Sequence, residues 1–208
     1  MPATVLLLVR HARTPTTGSV LPGRAPGLHL SDEGRTEADA VAARIGSLKG
    51  VAAVYASPLE RARETAMPVA RACGRAVRIE RGLIECDFGE WTGAKLSRLQ
   101  QRPEWNVVQR YPSGFRFPGG ESFTEMQTRI VSAIARLVGS HRGATVVAVS
   151  HADPIKAAVA HALGTHLDLF QRIAIATASI TAIAYRREGP LVLTVNSLAG
   201  DLGMLRAT

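Results

Sequence analysis

The sequence has little cysteine, few aromatic residues and no long apolar run, and each shortage closes a class of explanation. Cys73 and Cys86 are its two cysteines, without a C-x-x-C pair, so neither a disulfide framework nor a cysteine-rich metal site is readable. A reduced, cytoplasmic setting is the expectation. The apolar run near the start, residues 5–9, is far shorter than the ~20 residues a membrane-crossing helix needs, and no basic leader precedes it, so no export or anchoring signal is expected. Aromatic residues make up 5% and no long block of lysine and arginine occurs. A nucleic-acid partner is therefore not expected. No H-E-x-x-H spacing joins His29, His141, His161 or His166, so no metal or cofactor is called for, and no G-x-S-x-G elbow marks a serine hydrolase.

What is present is an ordinary globular balance, 46% hydrophobic and 20% charged, in 208 residues. This suits one well-packed domain over residues 1–208. The 25 Lys+Arg against 17 Asp+Glu leave a net charge of +8, which favours anionic partners or substrates.

Three segments repeat one grammar: "TVLLLVRHART", "VAAVYASPLERARETA" and "ATVVAVSHADPIKAAVAHALG" each run from an aliphatic stretch through a polar cluster into a helical pattern. Short apolar runs with polar boundaries read as strands buried on both faces. Their alternation with helices predicts a three-layer α/β/α sandwich around a mostly parallel sheet. Ser31 is read as the cap of a first crossover helix carrying Ala38, Val41, Ala42 and Ile45 inward. Ser57-Pro58 reads as a second helix start, and Ser122 or Thr124 as the cap of a later one. The Gly-, Pro- and aromatic-rich middle reads as loops and short helices over an active edge, and "SITAIAYRREGPLVLTVNS" as a hairpin about Gly-Pro.

In open parallel sheets, ligands bind beyond the carboxyl ends of the strands. The polar clusters stand there: Arg10 and His11 after one strand, Ser57 and Arg61 after another, Ser150 and His151 after a third. A guanidinium is a charged planar fork that fits phosphate bidentately, and an imidazole is a nucleophile able to carry a covalent group. Arg10 and Arg61 are thus expected to hold a phosphate facing His11, and His151, if protonated, would stabilise charge on its oxygens. Glu85, approached by Leu83, Ile84 and Phe88, is the expected general acid, with Asp87, Glu90 and Asp153 as competitors.

These residues resemble those of the histidine phosphatase superfamily, which includes the phosphoglycerate mutases. "VRHART" is similar to its Arg-His-Gly signature, "LSDEGRTEA" to its first-helix start, and "ASPLERARETA" to its Ser-x-Leu-x-Arg element. "LIECDFGEWTG" resembles the acid-bearing element, "FPGGES" the segment that follows, and "VVAVSHADPIK" the second-histidine strand, all in order over residues 5–156. The resemblance implies His11 as phosphorylated nucleophile, Arg10 and Arg61 as phosphate ligands, His151 as second histidine and Glu85 as proton donor. Two positions depart from the pattern: Ala12 replaces glycine, with a β-carbon expected to tighten the turn, and Thr17 stands in place of asparagine as a phosphate contact with fewer donors.

The expected activity is metal-independent hydrolysis of a small phosphorylated metabolite. Its rivals are a mutase-type phosphotransferase, whose longer insert after the acid-bearing segment is missing here, and a non-catalytic binding module. Arg102, Arg110 and Arg116 are optional contacts for a second anionic group, Arg63 is read as a surface residue, and a homodimer is left open.

Overall fold

The computed structural model describes residues 2–205, arranged around one six-stranded sheet. Strands β1 (Thr4–Arg10), β2 (Val51–Ala56), β3 (Val77–Ile79), β4 (Thr145–Ser150), β5 (Ile180–Arg186) and β6 (Gly189–Ser197) lie in the order β3-β2-β4-β1-β5-β6. The first four run parallel, whereas β5 and β6 are antiparallel additions at one side. Helices α1 (Asp32–Gly46) and α2 (Glu60–Ala72) cover one face. The short helices α3 (Leu96–Leu99) and α4 (Pro103–Arg110) belong to the irregular middle, and α5 (Phe123–Ser140) and α6 (Ala152–Ala162) cover the other face. The mostly parallel three-layer architecture expected from the sequence is the one observed.

Period-two alternation in β1 divides the interior. Leu6 and Leu8 enter the core beneath α5 and α6, with Val146 and Ala148 of β4 beside them. Leu7 and Val9 enter the core beneath α1 and α2, with Val147 and Val149. All four β1 side chains are at most 1% exposed, and each contributes about 1.5–3 kcal/mol of transfer free energy. An unbroken aliphatic run is thus what a strand buried on both faces requires.

The same register builds the edge where the polar clusters meet. Arg10 pairs with Ser150 across the parallel β1–β4 ladder, so His11 and His151 follow side by side. The Ser57 N–H donates to the Val149 carbonyl, which brings the end of β2 to the same line. The chain leaves β1 for β2, beyond β4, and leaves β4 for β5, beyond β1. Connections that diverge from one strand pair open a crevice above it.

Local chemistry explains most boundaries. Ser31 accepts from the Gly34 N–H at the start of α1, and Ser122 with Glu125 forms a reciprocal capping box on α5, so Thr124 is not the cap. Ser57-Pro58 does not open α2. That helix begins at Glu60 without a side-chain cap, because the Ser57 hydroxyl is fully buried and turned toward His151. The hairpin turns at residues 187–188, ahead of Gly-Pro, and Gly189 enters β6 at φ +126°. Gly34 packs so closely on the Arg13 backbone that a β-carbon there collides with the Arg13 carbonyl, which seats α1 directly against the loop after His11.

Candidate active site

The two imidazoles face one another with centroids 5.2 Å apart and planes at 58°. His11 Nδ1 lies 2.8 Å from the Ala12 carbonyl, which only accepts, so Nδ1 carries the ring proton. Nε2 is left with its lone pair, toward which the Arg61 Nε–H points from 3.3 Å. Burial first, and then Arg61 and Arg10, hold the His11 pKa well below 6.5. The ring is neutral at neutral pH, with its free nitrogen in the crevice.

His151 is held in the same tautomer by a different partner. Its Nε2 lies 2.7 Å from Ser57 Oγ, which also receives a longer bond from the Leu59 N–H at 3.4 Å. Ser57 has one proton, and among the described residues His151 Nε2 is the acceptor within its reach. Ser57 therefore donates to Nε2, and His151 carries its hydrogen on Nδ1, 3.9 Å from Glu85 Oε2. Burial, with Arg61, His11 and Arg10, also holds this ring's pKa well below 6.5. In the free protein His151 is therefore a neutral Nδ1–H donor.

Arg61 is fully buried at the first turn of α2, donating from Nη2 to the Gly23 carbonyl at 2.8 Å, and not paired with Glu60 or Glu64 as a solvated helix residue would be. Arg10 donates from Nη1 to the Ile175 carbonyl at 2.7 Å. Arg63, two residues on, is exposed. These anchors leave Arg10 Nε, Arg61 Nη1 and His151 Nδ1 buried without a partner among the described residues. Buried donors are nearly always satisfied. Three orphaned donors on residues that flank His11 are suited to an oxyanion.

Glu85 sits at the crevice wall, 8% exposed, with Oε1 accepting from the Cys86 N–H at 2.9 Å. Burial, reinforced by Asp153, pushes its pKa up to about 7, against the pull of Arg61 and Arg10. Its backbone is clamped: Arg24 Nε donates to the Glu85 carbonyl, and Arg129 spans the carbonyls of Gly82, Ile84 and Glu85. Glu121 accepts from both Arg24 and Arg129. The glycines of "FPGGES" serve the same packing, since a β-carbon on Gly120 would strike the Asp87 carbonyl. Arg24, Arg129 and Glu121 escaped the sequence reading because nothing local distinguishes a buried arginine or glutamate from an exposed one.

Of the competing acids, Asp87 is tied to Arg24 at 3.3 Å, Glu90 is exposed, and Asp153 lines the crevice but is paired with Lys156 at 3.2 Å. Thr17 lines the crevice, and its hydroxyl accepts from the Thr14 N–H at 2.9 Å while lying 3.0 Å from Thr14 Oγ1. Ala12 brings no strain: its φ is not left-handed, its N–H donates to Thr65 Oγ1, and its methyl is fully buried. Arg102, Arg110 and Arg116, left open as optional contacts, are engaged or turned elsewhere. Arg102 stacks over Trp91, Arg110 lies on the exposed face of α4, and Arg116 is captured by Glu125. The cations that line the crevice beside Arg10 are Lys156 and Arg172. His29, His141, His161 and His166 form no metal-ligand cluster among the described residues. No helix among those residues is long and apolar enough to cross a membrane.

Comparison with known proteins identifies relatives of the whole fold. A family model, the histidine phosphatase superfamily (branch 1), matches residues 6–198. A bifunctional protein of Mycobacterium tuberculosis is 34% identical over 189 residues, covering 89% of this chain and 51% of that protein. The chain thus spans about half the length of that relative. Phosphoserine phosphatase 1 of Hydrogenobacter thermophilus is 30% identical over 204 residues, covering 92% of this chain and 91% of its own. The solved structure of a mycobacterial glucosyl-3-phosphoglycerate phosphatase superposes with a TM-score of 0.85 at 26% identity, covering 94% of this chain and 99% of that one.

Proposed function

The chain belongs to the histidine phosphatase superfamily, and on that premise we propose that it hydrolyses phosphomonoesters of small molecules, without a metal, through a phosphohistidine on His11. The observation that carries the reading is the set of orphaned buried donors on the residues flanking His11, whose Nε2 is unprotonated. A phosphate monoester placed there has its oxygens met by Arg10, Arg61 and the His151 Nδ1–H, with Thr17 at the rim as a further contact, and its phosphorus in front of the lone pair.

In the first step the Nε2 lone pair forms a bond to phosphorus while the ester P–O bond breaks, and Glu85 gives its proton to the departing alkoxide. A carboxyl with its pKa near 7 is protonated often enough to act and releases that proton readily. The guanidiniums and the imidazole N–H stabilise the equatorial oxygens in both directions and need no reorganisation. In the second step the Glu85 carboxylate takes a proton from water, the hydroxyl oxygen bonds to phosphorus, and the N–P bond breaks. Inorganic phosphate leaves, with the His11 lone pair restored and Glu85 protonated.

The test is the dependence on leaving group. Glu85→Gln is expected to slow hydrolysis of an alkyl phosphate roughly 100-fold or more and of an aryl phosphate with an acidic phenol far less. Equal losses for both esters would remove Glu85 from the acid role.

A further inference from the structure

The crevice that holds Arg10, His11 and Glu85 extends past them into an apolar chamber, the whole enclosing about 610 Å³, in the range of pockets that hold drug-sized ligands. Beyond the reacting groups, its walls include Val20 and Leu21 from the loop after β1, Leu96 of α3, Trp105 and Val108 of α4, and Ile173 beside the last turn before β5. Val108 is buried and the other five are only partly exposed. The walls are pinned by backbone bonds: Leu21 N–H to the Ala94 carbonyl, Gly93 N–H to the Leu21 carbonyl and Leu96 N–H to the Ser19 carbonyl, at 2.8–2.9 Å.

Polar recognition in the chamber is largely spent internally. Lys156 is neutralised by Asp153 at 3.2 Å and bound to Gln171 Oε1 at 2.9 Å, with its ammonium over the Phe170 ring. Arg172 lines the chamber from an exposed position at its rim. A small alcohol bearing a carboxylate would leave most of the apolar wall wet and meet an already paired lysine.

We propose that the substrate of this site is a phosphomonoester whose alcohol carries a large, flat apolar group, which Trp105, Val108 and Leu96 enclose; the inference rests on the phosphatase reading of the same crevice. Phosphoserine and 3-phosphoglycerate, small and doubly anionic, are then poor substrates. An aromatic group buries roughly 150–250 Å²; at about 25 cal/mol per Å² of apolar surface full transfer corresponds to roughly 500-fold or more, of which ~100-fold is expected to remain after the cost of ordering the ester in the site.

The experiment compares 2-(1-naphthyl)ethyl phosphate with ethyl phosphate, two primary alkyl esters of similar leaving-group basicity, alongside phosphoserine and 3-phosphoglycerate. The expected result is a kcat/KM ratio of ~100 for the naphthyl ester over ethyl phosphate, with both small acids at the ethyl level or below. Trp105→Ala and, separately, Val108→Arg are expected to lower the naphthyl-to-ethyl ratio by at least ~10-fold. A wild-type ratio near one, or a preference for either small acid, overturns the substrate class while leaving the phosphatase reading intact. Absence of turnover with all four esters, and of a phosphoryl adduct on His11, overturns both.

Discussion

The raised pKa of Glu85 makes a prediction about stability that does not depend on finding the substrate. Burial holds the carboxyl protonated to about pH 7 in the folded protein, against an ordinary value of 4.5. Between those values the folded state binds more protons than the unfolded state, so this residue's contribution to stability falls as pH rises. The penalty is absent below pH 4 and complete above pH 7. At about 1.4 kcal/mol per pH unit, the gap between about 7 and 4.5 amounts to about 3 kcal/mol. Glu85→Gln keeps a carbonyl oxygen to accept from the Cys86 N–H and has nothing to ionise. The variant should therefore match the wild type at pH 4 and exceed it by about 3 kcal/mol at pH 8, or about 6–12 °C in Tm for a chain of this size. His11 and His151, held below 6.5, act in the opposite sense, costing stability as pH falls below that value. They are common to both proteins and cancel in the difference. Urea unfolding across pH 4–8 in phosphate-free buffer measures it, and a difference independent of pH, or one that shrinks toward pH 8, would refute the reasoning.

Two further substitutions test the cradle. Arg61→Lys keeps the charge but loses the fork that reaches both His11 and the Gly23 carbonyl; losing one charge-assisted bond costs about 1.5–3 kcal/mol, so vanadate should bind roughly 10–100-fold more weakly by titration, and unchanged affinity would take Arg61 out of the cradle. Ser57→Ala removes the hydroxyl that fixes the His151 tautomer. Nitrogen-15 NMR should show the proton of His151 redistributed toward Nε2 and kcat/KM on an aryl phosphate lowered ~10–100-fold, with Ser57→Thr restoring both; an unaltered tautomer would contradict the assignment.

The sequence carried the fold well because β1 and β4 are aliphatic throughout, and only strands covered on both faces need that. It also carried His11, Arg10, Arg61, His151 and Glu85 as a group, since strand ends in a parallel sheet converge whatever their separation in the chain. Tertiary contacts decided what it missed. Ser57 followed by Pro58 has the local signature of a helix start, but a buried imidazole 94 positions away competes for its hydroxyl. The charge of His151 was not legible because an imidazole between two guanidiniums looks no different in sequence from one beside carboxylates. Arg24, Arg129 and Glu121 meet only after folding, and which way Arg102, Arg110 and Arg116 face is likewise set by packing that no local pattern records.

The central claim is a phosphoryl group on His11 Nε2. Intact-mass analysis of protein quenched in alkali within milliseconds of mixing with an aryl phosphate, with chelator present, tests it most directly. The account predicts one added phosphoryl group in the wild type, lost on acid treatment and absent from His11→Ala, which should also turn over no substrate. An adduct that survives acid, or turnover by the His11→Ala variant at the wild-type rate, would contradict it.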